Sequence, residues 1–537
     1  MNNQNFKGRK KVFINGKIFT VDELNPLAEA VVINESRIIY AGDNKSAQAM
    51  IDSETKVIDL EGNLMLPGFI DNHTHFIDGG FYLLELDLQT AKSTSDFKQI
   101  LRKYVEKNKG KWITGGNWNH EEWETKQLPS KEMIDYFTDG TPVFIERLDK
   151  HIALANSYAL KLAGITKDTP CPEGGSILKD SITGEPTGIL KDNAMPLVYS
   201  VIPKRNELEI KDAALAALNE AKKNGVTGIH DITMPEHLPV YRNLLQENKL
   251  SCRIFSRMPL KDYHHFNTQK IQHELDPAKL KTGSVKAFAD GSLGAGTAWF
   301  FEPYLNEENN YGLPMDVVTN GNLEKWSIEA DKNKLQLSIH AIGDRANSFV
   351  LDLFEKITNT NQRWDRRFRI EHAQHLREHD IKRFPELGVI ASVQPHHLID
   401  DGSWAEKKIG SKRLNGTYPF KSLLDEKAKL CFGSDWPVAP LKPLMGIYAA
   451  VTRSTLDGSH PDGWIPGQKI SVEDAIKCYT INNAYASFEE NEKGSITPGK
   501  LADFVVLDKD ILKMDPQEIK TTKVIMTVFD GEIIFNL

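Results

Sequence analysis

The sequence predicts an α/β chain built on a (β/α)8 TIM-like barrel, with a small β-domain made from both termini and a subdomain inserted into the barrel. Three observations predict it. Short apolar runs alternate with helical patterns through the middle of the chain, which argues for a parallel sheet. Both ends carry hairpin-like β-patterns instead. Histidines and a carboxylate stand at the C-terminal ends of the apolar runs, where residues from different barrel strands converge on one face.

The elements follow in order. Residues 1–65 read as β-structure. Val12–Ile14, Asn15-Gly16 and Lys17–Val21 form a hairpin pattern, because Asn-Gly favours a type I′ turn. Ala30–Ile33 and Arg37–Tyr40 are further strands. Residues 490–537 mirror this, with a strand at Ala502–Leu507 and a hairpin over Val524–Phe535 that turns at Asp530-Gly531. Neither end can bury a sound core alone, so the two are expected to meet in one composite β-domain. The barrel takes residues 66–489. Its eight strand candidates are Leu66–Asp71, Gly228–His230, Arg253–Phe255, Val285–Phe288, Leu337–His340, Phe368–His372, Val389–Val393 and Leu430–Gly433. Lys211–Lys223, rich in Ala, Leu and Lys, suits an intervening helix. Pro142–Ile145 is a ninth apolar run, assigned to an insertion at about 76–210.

Composition narrows the class. Charged residues make up 26% and hydrophobic ones 40%, a globular balance that argues against disorder. The net charge of -8 comes from 66 basic and 74 acidic residues mixed along the chain, and nothing in it suggests the clustered basic face that nucleic-acid binding needs. One basic cluster, Lys7, Arg9, Lys10 and Lys11, runs straight into a strand and reads as a solvated terminus. No run approaches the ~20 apolar residues needed to span a bilayer, and the first residues lack the apolar core of a signal peptide. Cys171, Cys252, Cys431 and Cys478 are widely spaced, which fits unpaired thiols in a reducing compartment. A cytoplasmic protein with a small-molecule substrate is expected, with no membrane or nucleic-acid partner; homo-oligomerisation stays open.

The chemistry starts at Leu66-Pro67-Gly68-Phe69-Ile70-Asp71-Asn72-His73-Thr74-His75. In an extended segment residues i and i+2 point the same way, so His73 and His75 aim two imidazoles at one point. That suits a divalent metal. The plain alternative is a chance His-x-His on a surface loop. The other strand ends weaken it: His340 ends the fifth strand, His372 the sixth, and Asp435 follows the eighth. Together they would make a metal centre. Lys286 lies inside an apolar strand, where an unpaired ammonium is costly. It is a lysine snorkelling to solvent, a partner for Asp290, or a lysine carboxylated by carbon dioxide whose carbamate bridges two metals.

The order His-x-His, Lys, His, His, Asp resembles the amidohydrolase superfamily, in the branch of N-substituted formamide deformylases and exoenzyme-regulatory-type proteins. Supporting stretches are Val285–Gly294, His340-Ala341-Ile342-Gly343-Asp344, Glu371-His372-Ala373-Gln374, Gly433-Ser434-Asp435-Trp436-Pro437 and Gly494–Asp503. The resemblance spans essentially the whole chain. It implies His73 and His75 on one metal, Lys286 as a carboxylated bridge, His340 and His372 on the second metal, and Asp435 as both ligand and proton shuttle. The cofactor it implies is a zinc-like divalent ion, in one or two copies.

The expected reaction is hydrolysis of an amide or N-substituted formamide carbon–nitrogen bond by metal-activated water. Alternatives are an ester, a lactone or a deaminable ring as substrate, or a non-catalytic metal-binding regulator. Trp436, Arg453 and His396 are the candidate substrate contacts. Trp118, Trp123, Trp299, Phe300 and Trp404 could line an apolar pocket, and His120, His151 and Gln394 are further polar candidates.

Overall fold

The computed structural model describes residues 10–148, 151–265 and 276–537. Two compact units emerge, Met1–Ile77 with Ala217–Leu537, and Asp78–Ala216.

The first unit holds an eight-stranded parallel sheet in chain order. Its strands are β1 (Phe69–Thr74), β2 (Val226–Ile232), β3 (Arg253–Pro259), β4 (Leu280–Phe288), β5 (Gln336–Ala341), β6 (Arg369–His372), β7 (Ile390–Val393) and β8 (Lys429–Phe432). Each pairs in parallel with the next, as the alternating pattern predicts, but the first is displaced: Leu66 and Pro67 fall in the strand Leu64–Pro67 of another sheet, and the barrel strand begins at Phe69. The two edge strands meet through a parallel bridge between Thr74 and Trp436. The Asp435 amide donates to the His73 carbonyl at 2.7 Å, and the His75 amide to the Trp436 carbonyl at 2.8 Å. The barrel is therefore fastened just beyond the strand ends, where the polar residues collect. The barrel strands are almost wholly buried, which is why they read as short apolar runs rather than alternating ones.

Two further sheets belong to this unit. In one, Phe504–Leu507 pairs antiparallel with Leu64–Pro67, so a C-terminal strand completes a sheet begun near the N-terminus. Phe13, Ile18, Val31, Ile33, Met65, Phe504, Val506 and Val528 fill one core there. The other sheet contains Arg37–Gly42, Ala30–Asn34, Lys11–Ile14 and Lys56–Asp59.

The two predicted hairpins part company. Val524–Phe529 and Glu532–Asn536 do pair, and Asp530 and Gly531 both have positive φ, as a type I′ turn requires. The Asn15-Gly16 hairpin does not form. Asn15 has φ 56°, but Gly16 is not in the left-handed region. Lys11–Ile14 pairs with Ala30–Asn34 and Lys56–Asp59, whereas Lys17–Phe19 pairs with Leu27–Ala28 and Leu64–Pro67. This turn carries the chain from one sheet to another. Burial of Phe13 and Ile18 in a shared core outweighs the local turn preference.

The second unit has its own six-stranded sheet, which takes in Phe144–Arg147, the ninth apolar run. Its core includes Phe97, Leu101, Trp118, Trp123 and Ile145. Trp118 and Trp123 donate their indole N–H groups to the Ile145 and Ala91 carbonyls, so both are core residues rather than pocket walls.

The cysteines are unpaired, with Cys171 exposed and the other three buried. Lys10 pairs with Asp52 at 2.8 Å and the buried Lys11 with Glu532 at 2.7 Å; Lys7 and Arg9 lie outside the described residues. Among the described residues no helix is long and apolar enough to cross a membrane.

Candidate metal centre

His73 lies on β1 and His75 just past it. Their Nε2 atoms approach the same oxygen, Asp435 Oδ1, at 3.3 and 3.4 Å. The i, i+2 geometry thus brings both rings to the extension of β8. Gly433 permits the approach: a Cβ there would stand 2.5 Å from the His73 amide nitrogen. The buried Asp71 carboxylate links the same two segments, accepting from the His73 amide at 3.1 Å and the Ser434 amide at 2.9 Å.

His372 joins from the end of β6. Donor atoms of His73, His372 and Asp435 all lie within 4.8 Å of one another. His372 and Asp435 have φ of 73° and 61°, the left-handed region that non-glycine residues rarely adopt. Such strain persists where surrounding structure imposes it, and it marks functional sites. The His372 Nδ1 atom is buried and has no hydrogen-bond partner among the described residues. The His340 ring, from β5, stands 4.4 Å from that of His372, edge to face, with Nε2 donating to the Gly291 carbonyl at 3.1 Å.

Lys286, on β4, is 3% exposed, and its Nζ has no hydrogen-bond partner among the described residues. It stands 4.3 Å from the Phe288 ring centroid. Neither plain reading of this lysine fits. Its amine does not reach solvent, and Asp290 is committed elsewhere, accepting from the backbone amides of Trp299, Ile342 and Gly343 at 2.8–3.0 Å. Burial pulls the amine's pKa down to about 7.

A buried polar layer in the barrel interior supports these side chains. Glu371, the residue before His372, accepts four hydrogen bonds. They come from Arg257 Nη1 (2.6 Å), Ser338 Oγ (2.5 Å), Ser392 Oγ (2.6 Å) and His73 Nδ1 (2.5 Å). Burial opposes the ionisation of Glu371, but Arg257 and His73 outweigh it and hold the carboxyl well below its usual range. Burial pushes His73 down to about 4, against the pull of Glu371 and Asp435, so its imidazole is neutral. A carboxylate can only accept, which puts the His73 proton on Nδ1 and leaves the Nε2 lone pair facing Asp435 Oδ1. Burial works against the ionisation of Asp435, yet its carboxyl is held well below the usual range, with a hydrogen bond from His75 among the causes. An anionic oxygen opposite an imidazole lone pair, with an orphaned His372 nitrogen beside them, is a donor set that fits a divalent cation.

These groups open into a cavity of about 420 Å³. His73, His75, His340, His372 and Asp435 line it, as do Phe288, Gln374, His397, Asp400, Asp401 and Trp404. Trp404 is the predicted aromatic that reaches it. Trp436 is buried against Phe76, with ring centroids 5.7 Å apart, and contributes through its backbone bridge. Arg453 is not brought to the cavity. It is fully buried, and it donates to the Trp464 and Tyr418 carbonyls at 2.7 and 3.0 Å. His396 does not line it either. The helix Pro395–Asp401 turns about 100° per residue, so only one of two adjacent histidines faces inward, and it is His397. The His397 Nε2 atom lies 3.9 Å from Asp435 Oδ2. Gln394 donates to the Ser392 carbonyl, Trp299 lies at 5.9 Å from Phe349, and Phe300 packs on Tyr304. In the other unit His151 pairs with Asp192, and His120 packs on Trp118.

Comparison with known proteins points the same way. A family model described as Amidohydrolase family matches residues 56–535. The chain is 40% identical over 507 residues to the protein LONG AFTER FAR-RED 3 of Arabidopsis thaliana, covering 92% of this chain and 86% of that one. It is 26% identical over 553 residues to an N-substituted formamide deformylase of Arthrobacter pascens, covering 98% of each. It is also similar to the crystal structure of an uncharacterized metal-dependent hydrolase from Pyrococcus horikoshii. The TM-score is 0.79 at 30% identity, covering 94% of this chain and 99% of that one.

Proposed function

The chain belongs to the amidohydrolase family, and from that premise we propose that this hydrolase cleaves a carbon–nitrogen bond of an amide or N-substituted formamide. The observation that supports this most is the convergence of His73 Nε2, His75 Nε2 and Asp435 Oδ1 at the mouth of the barrel. A zinc-type ion would be held by His73, His75, His372 and Asp435, with His340 and a carboxylated Lys286 available to a second. When bound, it supplies a Lewis acid that acidifies water and polarises the scissile carbonyl.

The chain's own residues do the rest. Glu371 keeps His73 in one tautomer and one orientation. Asp435 turns Oδ1 towards His73 and His75, which leaves Oδ2 to take the proton of the attacking water. The same oxygen returns that proton to the leaving nitrogen as the carbon–nitrogen bond breaks, releasing an amine and a carboxylic acid. The His397 Nε2 atom, buried and without a hydrogen-bond partner among the described residues, stands beside Oδ2. Lys286 contributes by addition of its neutral amine to carbon dioxide. A nitrogen–carbon bond forms, one proton leaves to solvent, and the new carbamate carries a negative charge.

A panel of N-substituted formamides, simple amides, esters, lactones and amino-substituted rings, assayed with metal-loaded protein, tests the reaction. Turnover is expected for the amide or formamide members. Turnover confined to esters, lactones or ring deamination would overturn the carbon–nitrogen reading, and no turnover at all would favour a binding role. Lys286→Ala, measured by mass spectrometry of metal content, is expected to fall from about two ions per chain to about one. An unchanged content would remove Lys286 from the metal site.

A further inference from the structure

Part of the cavity wall is acidic, and the hydrolase reading does not use it. Asp400 and Asp401 end the helix Pro395–Asp401, and Trp404 follows on the same wall. Among the described residues, no lysine or arginine lines the cavity. Asp401 is 9% exposed, and its two known hydrogen bonds both go to one oxygen. Tyr418 donates its hydroxyl to Oδ2 at 2.6 Å, and Gln374 its amide at 2.8 Å. Oδ1 carries neither of these bonds, and Asp401 lines the cavity. Burial pushes the carboxyl up to about 6, so near neutral pH it is ionised but poorly solvated. Such a carboxylate is held at a cost unless a positive charge completes it.

Asp401 stands one helical turn beyond His397, on the same side of the helix, and His397 faces Asp435. The acidic wall is thus about 5–6 Å along the cavity from the reacting end. Gln374 ties the two regions together: it follows His372 by two residues and holds Asp401. The Trp404 ring adds an aromatic surface, which attracts organic cations through its quadrupole.

We propose that this wall is a cation subsite, in which Asp401 and Asp400, backed by Trp404, take a protonated amine, amidinium or guanidinium carried by the substrate. The proposal rests on the hydrolase reading for the scissile bond and deepens it by naming the substrate class: an amide whose far end is cationic. Tyr418 and Gln374 act as positioning residues, fixing one oxygen of Asp401 so that the other faces the substrate.

The test is a binding measurement, so that its failure is distinguishable from failure of the hydrolysis reading. Benzylammonium and benzyl alcohol, matched in shape and differing in charge, are titrated calorimetrically into metal-loaded protein at pH 7.5. The cation is expected to bind about tenfold or more tightly than the alcohol, and Asp401→Asn to collapse that ratio towards one. Asp400→Asn, at an exposed position that does not anchor Tyr418, is expected to lower the ratio about two- to fivefold without disturbing the fold. Equal affinity for the two probes in the wild type, or an unchanged ratio in both variants, would overturn the subsite. A wild-type preference for the cation that Asp401→Asn abolishes, in protein that hydrolyses no member of the substrate panel, would leave the subsite standing and the reaction in error.

Discussion

Asp435→Asn is expected to lower kcat by about 100- to 10,000-fold, the span associated with loss of a positioned general acid–base group. Asparagine preserves the shape and an oxygen facing His73 and His75, but it cannot accept the water proton. The effect should fall on kcat more than on KM, because the carboxylate acts on the transferring proton rather than on substrate binding. Metal content must be measured alongside, since Asp435 also stands among the candidate ligands. Full turnover by a metal-loaded Asp435→Asn protein would remove this residue from the chemistry.

Glu371→Ala is expected to be the most destabilising single change in the barrel. It strands the fully buried Arg257 guanidinium, which gives up its only ion-pair partner among the described residues. Breaking a buried pair from one side costs about 3–5 kcal/mol. Ser338, Ser392 and His73 lose an acceptor in the same step. Metal affinity is expected to fall about 10- to 100-fold as His73 loses its fixed tautomer. Urea unfolding and competition with a chelator measure the two effects separately. Glu371→Gln keeps an acceptor in place and should show a smaller loss of both. Unchanged stability and metal affinity in Glu371→Ala would contradict the supporting role drawn for this residue.

How much of this was legible beforehand depends on sequence distance. The strands of the barrel were legible because each is buried on both faces and short enough to read as one apolar run. The convergence of His73 and His75 followed from two-residue spacing alone. The support beneath them was not legible. Glu371 meets Arg257 across 114 residues and His73 across 298, and no local pattern encodes such pairs. His397 was hidden beside His396, because the choice between neighbours depends on where the helix begins, at Pro395. Arg453 is a candidate substrate contact in the sequence, with no local pattern to say where its side chain goes. Its place in the fold is set instead by two backbone carbonyls that need donors. Asn15-Gly16 has good hairpin chemistry, yet its strands are claimed by different sheets. The acidic wall was invisible for a related reason. Asp400-Asp401 reads as an ordinary helix end until Tyr418 and Gln374 are seen to hold one of the carboxylates.

The most direct measurement is hydrolysis of the formamide and amide panel by one preparation in three states: as purified, stripped with a chelator, and reloaded with zinc. Release of amine and carboxylic acid would be followed by NMR. Turnover should disappear on stripping and return on reloading, with the folded state unchanged by circular dichroism. Equal turnover by the stripped protein, or metal uptake with no cleavage of any carbon–nitrogen substrate, would contradict metal-dependent amide hydrolysis at this site.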